Sequence, residues 1–114
     1  MRTGNIKNAP EGRYFTEYGY SQAYPWVVIG VSPSGKTITL QRVGTKGDPD
    51  WKPQFYIGGY AGHCHNQSEQ TWLYAGLEER TTTIRKNKRG EWRHKGVLFR
   101  EEANGPYYFY DYNF

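Results

Sequence analysis

Apolar and polar positions along this chain alternate in short runs of strand length, broken by glycine and proline. Arg13–Tyr20 is rich in β-forming aromatics, and Tyr24–Val31 is a near-continuous apolar run of buried-strand length. Ser32–Gly35 then supplies a proline that presets a turn dihedral and a glycine that accepts a positive one. In Lys36–Val43, Ile38 and Leu40 share one face against Thr37, Thr39 and Gln41 on the other, so the two runs and their turn predict a hairpin. Gly44–Asp50 reads as a loop by composition. Trp51–Ile57 reads as an edge strand, because Pro53 cannot donate to a ladder on both sides.

Strand character resumes at Gln70–Ala75, and Gly76–Glu79 reads as a connection to Arg80–Lys86, where the β-branched run Thr81–Ile84 argues strand over helix. Asn87–Gly90 is a second hairpin turn leading into Glu91–Lys95 and, after Gly96, Val97–Arg100. Asn104–Pro106 is a third turn, and Tyr107–Phe114 reads as a closing aromatic strand. The one helical candidate is a short helix within 66–74, which Asn66 or Ser68 could cap. Met1–Gly12 is polar and aperiodic and reads as a loosely ordered lead-in to a single β domain over 13–114. Six to seven short strands separated by Gly and Pro turns predict an all-β fold, a small antiparallel barrel or strongly bent sheet. An immunoglobulin-type sandwich would want richer aliphatic alternation.

Composition changes the expected core. The 114 residues allow one domain, yet Val, Ile and Leu total 14 against 20 aromatic residues. Aromatic rings, at roughly 150–250 Å² each, therefore supply most of the buried area. No apolar run approaches the roughly 20 residues that span a bilayer as a helix. Met1–Pro10 lacks the apolar stretch of a secretory signal, and the single Cys64 cannot form an internal bridge; both lead us to expect a cytoplasmic protein.

The net charge of +4 is unevenly placed. Residues 85–95 hold six of the fifteen basic residues (Arg85, Lys86, Lys88, Arg89, Arg93 and Lys95) and one of the eleven acids, Glu91, so the remainder is close to neutral. Such a hairpin, carrying Trp92 and His94, attracts phosphates, and an indole face can stack a base for about 1–3 kcal/mol. The plain alternative is a solvated basic hairpin.

Residues 58–67 concentrate functional residue types. His63 and His65 flank Cys64 and share a face if the segment is extended, a spacing that can hold zinc, but a full site would need His94 or an acid such as Glu69. No bound metal or cofactor is expected. Cys64 and its neighbours point to opposite faces and are poorly placed as a nucleophilic pair. The glycines of 58–62 match no phosphate-binding fingerprint. The polar run Asn66–Gln70 suits the reading of base or sugar edges, and it suits equally the satisfaction of buried backbone groups. Asp48/Asp50, Glu78/Glu79 and Glu101/Glu102 read as solvated loop charges rather than a catalytic acid pair, so a non-enzymatic protein is expected.

The segments Tyr24–Val28, Asp50–Phe55, Gly58–Cys64 with Asn66, Gln67, Glu69 and Gln70, and Tyr108–Phe114 together resemble a family of short hypothetical proteins of bacteriophages and prophages. The resemblance implies an accessory protein made in the cytoplasm of an infected bacterial host, and by analogy an antagonist of host antiviral defence; it carries no assigned site residues. Two function classes follow. One is sequestration of a nucleotide signal, or nucleic acid binding. It uses Arg85, Lys86, Lys88, Arg89, Arg93, His94 and Lys95 for phosphates, Trp92, Trp51, Trp72 and Tyr56 for stacking, and His63, His65, Asn66, Gln67 and Gln70 for polar contacts. The other is a protein–protein inhibitor of a defence effector, resembling an anti-CRISPR in role, with Tyr, Trp and Arg as anchors. Each Trp serves equally well as a packed core ring. A homo-oligomer is expected, by pairing of Tyr107–Phe114 with its copy.

Overall fold

The computed structural model describes residues 4–56 and 63–113. Its strands are β1 (Ile6–Lys7), β2 (Tyr14–Tyr18), β3 (Ala23–Val31), β4 (Thr37–Gly47), β5 (Trp72–Lys86), β6 (Trp92–His94) and β7 (Val97–Glu102). Strands β2 to β7 are hydrogen-bonded in a ring, with β7 returning to β2 and β6 joining β5. The fold is therefore the small antiparallel barrel that the strand spacing predicted. Strand β1 lies outside the ring, parallel to β5 through Ile6↔Trp72 and Lys7↔Leu73. The expected helix within 66–74 reduces to a 3₁₀ turn at Gln67–Glu69, because Trp72–Tyr74 pairs with Gly47–Thr45 of β4.

The β3–β4 hairpin forms as expected around Gly35, at φ 75°, closed by Ser32 N–H to Thr37 O at 2.9 Å. Two expected breaks do not occur. Strand β4 continues through Gly44–Gly47, and Gly76, at φ 79°, bends β5 without ending it. Cross-strand pairing of β4 with β5 outweighs the turn preference of glycine at both places. A Cβ at Gly44 would lie 3.0 Å from the Ala75 carbonyl oxygen, so glycine there permits the close approach that the register shift requires. Fifteen residues at about 3.3 Å each make β5 about 50 Å long, comparable with the 56 Å long axis of the molecule.

Two other expected strands are absent. Residues 51–56 make a single bridge, Phe55↔Cys64, and 107–113 a single bridge, Phe109↔Ala23. Ile57 and Phe114, the ends of those expected strands, lie outside the described residues.

Alternation places two cores on opposite faces of the sheet. Phe15, Trp26, Ile38, Leu40, Ile84 and Phe99, with Val28, Trp92 and Val97 against them, fill the barrel. Ile6, Tyr14 and Val43, with Ala9, Val27, Trp72, Tyr74 and Tyr108, form a second cluster outside it. Within the lead-in expected to be loosely ordered, Ile6 is thus buried and paired. Two acids read as solvated are also buried. Glu102 accepts from Thr16 Oγ1 at 2.7 Å. Asp48 accepts from Thr71 Oγ1 at 2.6 Å and from the Asp50 N–H at 3.0 Å, and meets Lys7 Nζ at 2.8 Å.

The Asp48 contacts tie β1, the end of β4 and the start of β5 together. The Lys7 ammonium, then the Thr71 hydroxyl and the Asp50 N–H, hold the Asp48 carboxyl down to about 2. A folded value below the unfolded one means that this stabilisation is complete above the ordinary aspartate range and is lost as pH falls through about 4 towards about 2. We expect the thermal midpoint to drop across that window. In Asp48→Asn it should be lower at neutral pH and flatter below about pH 4. Equal pH slopes in the two proteins, measured by circular dichroism melts, would contradict the assignment.

Candidate functional site

The basic hairpin is built by two turns. In the first, Asn87 Oδ1 accepts the N–H groups of Arg89 and Glu91 at 3.0 and 2.9 Å, its Nδ2 donates to Glu91 at 3.2 Å, and Gly90 takes φ 81°. In the second, Lys95 and Gly96 both have positive φ, 48° and 81°, the requirement of a two-residue turn between twisted strands.

Its cations are differently employed. Arg93 is bound to Glu91 at 3.2 Å and to the Gly96 carbonyl at 2.8 Å, and these contacts tie it into the hairpin. The Asn87 amide, then Arg93, draws the Glu91 carboxyl below its usual value. Lys86 Nζ lies 5.7 Å over the Trp92 ring. Arg85, Lys86, Lys88, Arg89 and Lys95 are exposed, and among the described residues none of them forms an ion pair. Arg85 stands directly opposite Arg93 in the β5–β6 register, a like-charge juxtaposition that does not favour the fold.

The proposed stacking rings are mostly engaged. Trp92 meets Phe15 edge-on at 5.7 Å and packs on the barrel core, with Lys86 above it. Trp72 meets Tyr108 edge-on at 4.8 Å and donates to Gln70 Oε1 at 2.9 Å. Trp51 packs on Tyr112 at 5.6 Å. Tyr56 is 62% exposed and carries the rings of His63 and His65 at 5.8 and 4.9 Å. Those two imidazoles share a face because 54–56 and 63–65 are extended and paired, through Tyr56 N–H to His63 O and His65 N–H to Gln54 O. Cys64 points away and is buried. His94 belongs to the barrel hairpin, and among the described residues no three His, Cys, Asp or Glu side chains are grouped to hold a metal. The glycine cluster 58–62 lies outside the described residues.

The polar run serves the backbone. Asn66 Oδ1 accepts from the Gln54 N–H and its Nδ2 donates to Lys52 O. Gln67 Oε1 accepts from the Tyr112 N–H. Gln70, only 2% exposed, donates to the carbonyls of Gln67 and Tyr110 and accepts from the Tyr110 N–H and the Trp72 indole. Asn5 clasps both backbone groups of Tyr108 in the same way. With Phe109 bridged to Ala23, the backbone groups that strand pairing with a second copy would use at 108–110 are already taken.

A cavity of about 290 Å³, lined by Glu17, Trp26, Arg80, Thr81, Thr82, His94, Lys95, Val97 and Phe99, opens between β5 and the β6–β7 turn. Of these, only His94 and Lys95 stand among the sequence candidates. Glu17 accepts from the Trp26 indole N–H at 2.9 Å. The available signal was parity: Glu17 follows Phe15 by two residues on β2, and Arg42 follows Leu40 by two on β4, so both charges occupy core-facing positions. The Arg42 guanidinium lies 4.3 Å from the Tyr24 ring centroid and 5.5 Å from that of Trp26, and burial pulls it below its ordinary value.

Comparison with family models, with curated proteins and with solved structures finds no match to this chain. The structure defines a six-strand antiparallel barrel bearing a cationic hairpin.

The amide bonding predicts that Gln70→Ala, which leaves the Tyr110 backbone groups and the Trp72 indole without partners, destabilises the fold by about 2–4 kcal/mol. Hydrogen exchange should accelerate at residues 108–112 before it does in the barrel strands; uniform acceleration would show that the clamp is not local to that segment.

Proposed function

We propose that this chain is a non-enzymatic binding protein for a nucleotide-type anion, in the first place single-stranded nucleic acid, held through the hairpin of residues 85–95. The observation that supports this reading is the group of five exposed cations on the hairpin without carboxylate partners among the described residues. Uncompensated like charges are retained against the interest of the fold, and phosphates relieve them. With Trp92 and Trp72 packed and Asn66, Gln67 and Gln70 bonded to backbone, affinity in this reading comes from phosphates more than from stacking over the hairpin. The resemblance of the sequence to short phage proteins supports setting such binding in an infected bacterium, as sequestration of a nucleic acid or nucleotide signal used by host defence. The reading as a protein–protein inhibitor draws on Phe55 and Tyr56, 46% and 62% exposed beside His63 and His65, as interface anchors.

Salt separates the two. About five phosphate contacts at roughly −0.7 each in log–log slope predict that affinity for a fluorescein-labelled single-stranded oligonucleotide falls about a hundredfold between roughly 50 and 200 mM salt. Replacing Arg85, Lys88 and Arg89 together by Ala should remove about three of those contacts and lower the slope to about −1.4. The thermal midpoint should hold or rise, since these side chains are exposed and Arg85 faces Arg93. Unchanged binding by a folded triple variant would refute the hairpin as the interface.

A further inference from the structure

The slot beside the hairpin has its own chemistry. Strand β6 spans only Trp92–His94 and pairs with β5 only at Arg85 and Lys86. Along Arg80–Thr82, β5 therefore has no strand neighbour on its other side among the described residues, and the barrel wall is open there. The opening leads to Trp26 and Phe99, which with Val97 form an apolar floor, while Arg80 and Lys95 supply cations, His94 an imidazole and Glu17 a carboxylate. At about 290 Å³ the cavity lies at the low end for organic ligands and suits one planar ring system.

We propose that this slot binds one guanine nucleotide unit, its base between β5 and the β6–β7 turn and its phosphate on Lys95; the proposal rests on the reading of the chain as a nucleotide-type binder. The choice of base follows from Glu17. One carboxylate oxygen already accepts from the Trp26 indole, and among the described residues the other has no hydrogen-bond partner. A carboxylate only accepts, so it selects an edge of adjacent donors. Guanine offers N1–H and the N2 amino group side by side, whereas adenine and cytosine set a ring-nitrogen lone pair beside their amine and uracil flanks one N–H with two carbonyls. The planar groups of Arg80 and His94, which line the slot from its two walls, cover the faces of the base. Next to Lys95, Arg93 of β6 stands opposite Arg85 of β5, so positive charge adjoins the slot. A free nucleotide and an unpaired guanine in a strand present this same chemistry.

Calorimetric titration with GMP, AMP, CMP and UMP tests the slot apart from the hairpin. GMP should bind about tenfold or more tightly than the other three. Glu17→Gln keeps an acceptor for the Trp26 indole and replaces the second oxygen by a donor, so it should abolish the GMP preference without unfolding the barrel. Arg80→Ala, at an exposed position, should weaken all four nucleotides and serves if Glu17→Gln does not fold. No binding of any monophosphate at millimolar concentration, or equal binding of all four unaffected by Glu17→Gln, overturns the slot, even if oligonucleotides still bind with a steep salt slope. GMP binding that survives in the Arg85/Lys88/Arg89 triple-alanine protein while oligonucleotide binding is lost upholds the slot and the hairpin as separate sites, whereas GMP binding by a wild-type protein that binds no oligonucleotide upholds the slot and overturns the hairpin. In competition, GMP equal to a G-containing oligonucleotide identifies a free nucleotide as the ligand. An oligonucleotide that wins tenfold or more over its G-free counterpart identifies an unpaired guanine; both results uphold the slot.

Discussion

A three-residue strand closes this barrel. β6 pairs with β7 at Trp92, Arg93 and His94 and with β5 at only two positions, and without it β5 and β7 would both be open edges. So short a ladder contributes little hydrogen bonding, and the closure rests instead on Trp92, whose ring packs edge-on against Phe15 and carries Lys86 on its surface. The same shortness leaves the wall incomplete above Arg85, and the slot lined by Glu17, Trp26, Arg80 and His94 is the space that a longer β6 would have filled. Closure and candidate site are two consequences of one truncated strand.

The outer core depends on a different substitution. The terminal segment at 107–113 has no ladder beyond one bridge, yet it lies over Trp72 and beside Gln70, where unpaired backbone groups would be costly. Asn5, Gln67 and Gln70 solve this by presenting an amide oxygen, and in Asn5 and Gln70 also an amide nitrogen, to the N–H and C=O groups of Tyr108, Tyr110 and Tyr112. A side-chain amide offers the same donor and acceptor as a peptide, so these residues act as fragments of a neighbouring strand. Aromatic rings then cover them, Trp72 against Tyr108 and Trp51 against Tyr112, which is how a chain poor in aliphatics completes its burial.

Charge is arranged against the simplest folding pattern in two places. Arg85 faces Arg93 across the hairpin, with one glutamate to share between the cations nearby. Glu17 and Arg42 occupy core-facing positions near Trp26, where Glu17 is held by the indole N–H and Arg42 by the faces of Tyr24 and Trp26. Of these charges, Arg85 and Arg93 lie on the hairpin, Glu17 lines the adjoining slot, and Arg42 packs beside Trp26.

Alternation and turn chemistry were enough to indicate an all-β barrel or strongly bent sheet, the β3–β4 hairpin, the Asn87–Gly90 turn of the basic hairpin and the shared face of Ile38 and Leu40, because these depend on residues near one another in the chain. The clustering of basic charge was legible for the same reason. What depended on partners distant in sequence was not: Gly44 and Gly76 read as breaks until β4 and β5 paired across them, and Tyr107–Phe114 read as a strand, of which Asn5 and Gln70 occupy the backbone groups at Tyr108 and Tyr110. Asn66, Gln67 and Gln70 carry the same donors and acceptors whether they face a ligand or a peptide. Only the fold, by bringing residues 40 or more positions apart into contact, assigned Gln67 and Gln70 to the backbone and placed Glu17 and Arg80 around a common opening.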